Sequence, residues 1–180
     1  MIHLVQNVQN KKAKNMKIQL KNVRLSFPSL FQKASFNGVE GKYEATFLIP
    51  KTDTKTKASI DEAINKAIAE ANIKVPSDKR CLQNGDDKDY DGYADHWTFK
   101  AGNSRRPVVI DRDKAPLIEE DGKPYAGCFV NCIVEVWIQN NSYGKRVNAN
   151  LHGVQFLKDG DSFGAGGSDA TDDFDDLDGI

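Results

Sequence analysis

The sequence predicts a mainly β domain with one amphipathic α-helix and a disordered acidic C-terminal tail, and three observations carry that reading. Apolar residues alternate with period two over several separate stretches, as in strands that turn one face to a core. One stretch, residues 54–74, switches to helical spacing. From Asp159 onward Gly, Ser and Asp dominate, and the large apolar groups Phe163, Phe174, Leu177 and Ile180 are too few to bury the surface that ordering requires. The 180 residues are 39% hydrophobic, 28% charged and 9% aromatic, the balance of one soluble domain, which excludes collagen, a coiled coil and disorder throughout. A core of roughly 140 residues buries about two-thirds of its unfolded surface, enough to fold without disulfide or metal staples.

The elements follow in order. Between Lys17 and Phe27 the apolar set is first Ile18 and Leu20, then Val23, Leu25 and Phe27. The phase change around Lys21 and Asn22 predicts a bulge, because one extra residue moves the pattern to the other face. Lys42 to Ile49 places Tyr43, Ala45, Phe47 and Ile49 on one side and ends at Pro50, a second strand. In the helix, Ile60, Ala63, Ile64, Ala67, Ile68 and Ala71 form the apolar face that packs on a sheet or caps a barrel, and Pro76 stops it. A polar stretch runs through Tyr93. Trp97, Phe99 and Ala101 then alternate, Pro107 to Ile110 is a short apolar run, and Asp121-Gly122 marks a turn. The longest strand, Gly127 to Gln139, aims Cys128, Val130, Cys132, Val134, Val136 and Ile138 at the core. After a turn at Asn140 to Gly144, Arg146 to His152 buries Val147, Ala149 and Leu151, so the two strands make a hairpin. This divides the chain into a leader or extended N-terminus over 1–15, a domain over 16–158 and a tail over 159–180.

The net charge of -1 conceals a separation. Eight Asp residues and no Lys or Arg follow Lys158, so residues 1–158 hold 25 basic residues against the 18 acidic ones that remain of 26, a balance of +7. A basic body with an acidic tail points to a polyanion partner. The three cysteines, Cys81, Cys128 and Cys132, are odd in number and sparse, which argues against a disulfide framework and for a reducing compartment. No apolar run is long enough to span a bilayer, and residues 1–15 lack the apolar stretch of a secretory signal. The expected location is cytoplasmic, with no membrane partner.

Other chemistries are weaker. Asp87, Asp89, Asp91, Gly92 and Asp95 match five positions of a calcium-binding loop, but position twelve holds Thr98 in place of the bidentate Glu, and the flanks read as strand. An interaction or virion-associated β-domain with a calcium-binding Asp loop is therefore the alternative reading. Cys128 and Cys132 lie on one strand face roughly 13 Å apart, too far to share a zinc. His3, His96 and His152 fall in separate segments, and no nucleophile, phosphate-loop or metalloprotease motif is present. No metal, cofactor or catalytic residue is predicted, and the chain reads as a non-enzyme.

Single-stranded DNA is held by cations along its phosphates and by aromatic faces under its bases. The candidate phosphate contacts are Lys17, Lys21, Arg24, Lys33, Lys42, Lys100, Arg105, Arg106, Lys145 and Arg146. The candidate stacking residues are Phe36, Tyr90, Tyr93, Phe129, Trp137 and Tyr143. If the helix covers Phe129 and Trp137, the platform lies instead at Phe36, Tyr43, Tyr90 or Tyr93. In the tail, Asp172, Asp173, Phe174, Asp175, Asp176, Leu177, Asp178 and Ile180 couple dense acid to sparse apolar anchors. Such a segment can occupy a basic groove as a DNA mimic and dock on a partner once released.

Five strings carry a resemblance: Gly41-Lys42-Tyr43-Glu44-Ala45-Thr46-Phe47-Leu48-Ile49-Pro50-Lys51, Asp89-Tyr90-Asp91-Gly92-Tyr93, Arg106-Pro107-Val108-Val109, Tyr125-Ala126-Gly127-Cys128-Phe129-Val130-Asn131, and Gly153-Val154-Gln155-Phe156-Leu157-Lys158-Asp159-Gly160. Over roughly residues 16–165 the chain resembles a bacteriophage single-stranded DNA-binding protein family, formerly a domain of unknown function. The resemblance implies an OB-fold, sequence-tolerant binding of single-stranded DNA, no catalysis, and a tail that recruits replication or recombination proteins in the host cytoplasm. Self-association into a homo-oligomer stays open. A minimal OB barrel carries its helix between the third and fourth strands, whereas here two clear strands precede it.

Overall fold

The computed structural model describes residues 17–163. The leader predicted over 1–15 and the tail anchors at 172–180 lie outside the described residues.

Strand β1 (Lys17–Ser29) carries the predicted bulge. Leu20 faces Cys132 but Val23 faces Val130, so three steps on one strand match two on the other. Asn22 takes the left-handed conformation this requires (φ 53°), and its N–H donates to Asn131 Oδ1 at 2.9 Å. The shift brings Leu20, Val23 and Leu25 to one buried face. A second extra residue lies between Ser26, opposite Thr46, and Ser29, opposite Glu44. There Phe27 has φ 46° and is 58% exposed, so the core position that alternation assigns to it is corrected to a surface one. Pro28 was the available signal, since it cannot donate to a ladder and marks an interruption.

A short hairpin follows, β2 (Ser35–Phe36) and β3 (Val39–Glu40), turning through Asn37-Gly38 with both residues at positive φ. Strand β4 (Tyr43–Pro50) buries Ala45, Phe47 and Ile49 as predicted, and Leu48 as well. Helix α1 (Thr54–Ala71) is capped by Asp53, whose carboxylate accepts from the Thr56 N–H at 3.2 Å and from its hydroxyl at 2.7 Å. Asn72 closes it in the left-handed conformation. Ile60, Ala63, Ile64 and Ala67 are buried, and the helix packs chiefly against β1 and the later strand β8 (Phe129–Asn141). Five Ala residues give the helix a high intrinsic propensity, and each fully buried Ile adds about 1.5–3 kcal/mol.

The remaining strands are β5 (Leu82–Asn84), β6 (His96–Asn103), β7 (Val108–Ile110) and β9 (Gly144–Lys158). Antiparallel pairings join β6 to β4, β4 to β1, β1 to β8 and β8 to β9, and the parallel pairing of Gly102 with Asn150 joins β9 back to β6. That circuit is a closed five-stranded barrel, with β5 and β7 as short edge additions. In order along the chain its strands run 1-2-3-5-4 around the barrel, the OB arrangement, with the helix moved into the connection between the second and third strands. The predicted core face of β8 is buried from Cys128 through Val136, as are Val147, Ala149 and Leu151 opposite.

All three cysteines are free and buried. Burial pushes the Cys81 thiol up to about 12 and the Cys128 thiol to about 11, and it raises Cys132 further. The Asp-rich loop is organised by Asp86, whose carboxylate accepts from Lys51 Nζ and from the Asp95 N–H. The Lys51 hydrogen bond holds Asp86 below the usual carboxylate range. Among the described residues no three His, Cys, Asp or Glu side chains converge to hold a metal. Among those residues no helix is long and apolar enough to cross a membrane.

Candidate nucleic-acid interface

Strands β4 and β6 alternate, so the residues between their core positions face outward: Glu44 and Thr46 on one, Lys100 and Gly102 on the other. This outer face floors a groove of about 950 Å³. Its walls are the β2–β3 hairpin, the β8–β9 hairpin, residues 78–83 and residues 88–93. In OB barrels generally, the face of the second and third strands and the flanking loops hold oligonucleotides.

Six cations line the groove, Lys42, Lys79, Arg80, Lys88, Lys100 and Arg146, against the acids Glu44 and Asp78. Glu44 engages Lys100 at 3.7 Å, yet the lysine side chain stays 66% exposed and is available to an anion. Arg80 donates twice to the Val75 carbonyl, at 3.1 and 2.9 Å, so it is more a brace than a free cation. Clustered cations over a low-dielectric barrel wall concentrate positive potential where a phosphate chain would run.

The aromatic side of the groove is built in layers. Tyr90 is exposed and meets Phe27 edge-on with ring centroids 5.1 Å apart, while Tyr93 lies behind Tyr90, also at 5.1 Å. Tyr93 itself is buried, and its hydroxyl is hydrogen-bonded to Ser26 Oγ at 2.8 Å. Burial raises its pKa above the ordinary tyrosine value. The prediction of Tyr93 as a stacking residue is thus corrected: its side chain is almost wholly covered, and it buttresses Tyr90. Phe36 projects from the β2–β3 hairpin, and Trp137 is half-buried opposite Asn148. Both border the groove, so α1 does not cover Trp137.

Of the sequence-predicted residues the fold therefore brings together Lys42, Lys100, Arg146, Phe36, Tyr90 and Trp137. It adds Phe27, Lys79, Arg80 and Lys88, which sequence reasoning passed over. The three cations sit in the polar stretch after Pro76, where no periodicity assigns a facing.

Others lie elsewhere. Arg24 and Phe129 belong to a separate cluster. The Arg24 guanidinium donates to the Gly127 carbonyl at 3.0 Å and the Asp161 carbonyl at 2.7 Å, and it lies over the rings of Phe163 and Phe129 at 4.0 and 5.7 Å. Residues 159–163, predicted as the start of the disordered tail, pack against the barrel there. Tyr125 donates to Asp159 Oδ1 at 2.8 Å, and the Phe163 N–H donates to Ala126 O at 2.9 Å. Lys33 pairs with Glu40 at 3.1 Å, and Arg106 donates to Phe31 O at 2.9 Å. Tyr143 and Lys145 stand at the tip of the β8–β9 hairpin, and Lys17, Lys21 and Arg105 are exposed beyond the groove.

A closed OB-type barrel bearing a cationic and aromatic groove defines the class of oligonucleotide-binding domains. Comparison with known proteins narrows it. The family model for the Enterobacter phage Enc34 ssDNA-binding protein matches residues 16–179, and the chain belongs to that family. Protein p50 of Acyrthosiphon pisum secondary endosymbiont phage 1 is 44% identical over 174 residues, spanning 90% of this chain and 94% of that protein. Among solved structures, the single-stranded DNA-binding protein from bacteriophage Enc34 in complex with ssDNA superposes with a TM-score of 0.77 at 34% identity, covering 84% of this chain and 91% of that one. The gp2.5 single-stranded DNA-binding protein encoded by bacteriophage T7, at 14% identity and a TM-score of 0.56, shares the fold, with 89% of this chain and 97% of that one covered.

Proposed function

We propose that this protein binds single-stranded DNA in the groove over β4 and β6, without catalysis and with little regard to sequence. Lys42, Lys100 and Arg146 pair with phosphates, joined by Lys79 and Lys88, while Phe36, Tyr90, Phe27 and Trp137 offer faces to bases. The single observation that carries the reading is the convergence of these five cations and four exposed or half-exposed rings on one 950 Å³ groove, in a chain of the Enc34 family. Aromatic faces accept any base, which accounts for tolerance of sequence, and the cations supply affinity that falls with salt. In phage replication or recombination, in the host cytoplasm, such a protein coats transient single strands.

The acidic tail is assigned two roles. Six of its Asp residues follow Phe163, which packs beside the Tyr90 loop, so the acids have a short path to the groove and compete there with phosphates. When DNA displaces them, Phe174, Leu177 and Ile180 become available to a replication or recombination partner. Titration with oligo-dT, followed by tryptophan fluorescence at several salt concentrations, tests the groove and the tail's competition for it. Trp137 borders the groove, whereas Trp97 lies under Lys51 and Lys57 at 4.8 and 4.6 Å, so Trp137→Phe should remove the signal while binding persists. A chain ending at Phe163 should bind more tightly than the full chain. Absence of binding by either form at low salt would overturn the reading.

A further inference from the structure

Beyond the groove, on the far side of Phe27 and Tyr90, lies a second hollow of about 290 Å³. Ser26, Phe27, Pro28, Tyr90, Asp91 and Tyr93 form most of it, and Phe163 with Ala126 closes it. The hollow is mainly apolar: Ser26 spends its hydroxyl on Tyr93, which leaves Asp91 as the polar group at the rim. Phe27, Tyr90 and Tyr93 line both spaces, so the hollow adjoins the groove across these three residues. A 150 Å³ apolar cavity admits a benzene ring, and this one is about twice that size.

The wall that Phe163 provides is deliberately accommodated. A Cβ on Gly92 would stand 2.3 Å from Phe163 Cζ, one on Gly127 would stand 2.0 Å from Asp161 O, and one on Gly160 would stand 2.3 Å from Gly127 O. Three positions without side chains thus open the slot in which residues 159–163 lie, and Arg24 locks them there through Asp161 and the Phe163 ring. Opposite, Phe27 is held at φ 46°, a conformation costly for an aromatic residue and one that persists only where its surroundings impose it. Strain on one wall and a built slot for the other mark the hollow as a site rather than a packing defect.

We infer that this hollow is an end pocket for one unstacked nucleobase of the strand bound in the groove, and that Phe163 is the residue that completes it. The inference rests on the DNA-binding reading above. The occupant is a base because the hollow adjoins the groove across Phe27 and Tyr90, is walled by aromatic rings and has no cation in its lining for a phosphate.

The test compares chains ending at Phe163 and at Lys158, together with Phe163→Ala and Phe163→Tyr in the longer one, on oligo-dT and on an abasic oligomer of equal length. Charge alone predicts that ending at Lys158 tightens binding, since Asp159 and Asp161 go with Phe163. The end pocket predicts the opposite: about tenfold weaker binding of oligo-dT for the chain ending at Lys158 and for Phe163→Ala, with the salt slope of Phe163→Ala unchanged and binding restored by Phe163→Tyr. On the abasic oligomer the loss should vanish, which a merely structural role for Phe163 would not produce. Equal oligo-dT affinity of the two truncated chains, an equal loss on both oligomers, or tighter binding by Phe163→Ala in the full chain, as expected if a tail side chain fills the hollow, would each overturn it. Failure of the groove reading looks different: Lys42→Ala/Lys100→Ala/Arg146→Ala would then bind as the parent does.

Discussion

Two clusters of cations and aromatic rings sit on this barrel, and they differ in what their members already touch. Around Arg24, the guanidinium is spent on two carbonyls and two rings of its own chain. Around Tyr90, Lys42, Lys100 and Arg146 keep exposed charges and Phe36 an open face. Residue types are the same in both. A cation whose hydrogen bonds are satisfied internally contributes to stability, whereas one left to solvent is ready for a phosphate. The contrast explains why ten basic residues chosen from sequence resolve into three groove cations, one structural clasp and several ordinary surface charges.

The comparison breaks most visibly if the open cluster is emptied. Lys42→Ala/Lys100→Ala/Arg146→Ala should weaken oligo-dT binding about 100-fold at low salt and flatten the dependence of log K on log salt by about 2, at unchanged melting temperature. Titrations at four salt concentrations read both quantities. The closed cluster should respond in the other observable. Arg24→Ala removes two charge-assisted hydrogen bonds and two ring contacts, an expected loss of about 2 kcal/mol or a melting point lower by roughly 4–8 °C, with the salt slope kept. A salt slope reduced by Arg24→Ala would mean that this residue contacts phosphate after all.

The smallest expected effect sharpens the boundary of the groove. Lys17→Ala/Lys21→Ala/Lys145→Ala removes as many charges as the groove variant, but from positions outside it. Long-range attraction alone predicts less than a fivefold change at 0.15 M salt, where the Debye length is about 8 Å. A loss equal to that of the groove variant would extend the DNA path along β1 and the β8–β9 tip.

Much of the fold was legible because it follows from local rules. The bulge at Lys21 and Asn22 is a phase change in an alternating string, and the helix is a change of period between Asp53 and Pro76. The inward set of β8 and β9 is read from every second residue. Phe27 was misread because the second interruption of β1 comes only four residues after the alternation resumes, too soon to show as a phase change. The Asn37-Gly38 turn was legible but its strands are two residues long, below what alternation can reveal.

The chain's own pattern thus determined the class of the fold, its core and the presence of a basic body with an acidic tail, since each depends on neighbours within a few residues. Which cations remain open was decided only by tertiary structure. Arg24 meets Asp161 across 137 residues and Ser26 meets Tyr93 across 67. The groove itself exists because the parallel contact between Gly102 and Asn150 closes the barrel. Exposure is a property of the whole surface, and no local period encodes a contact made across the chain's full length.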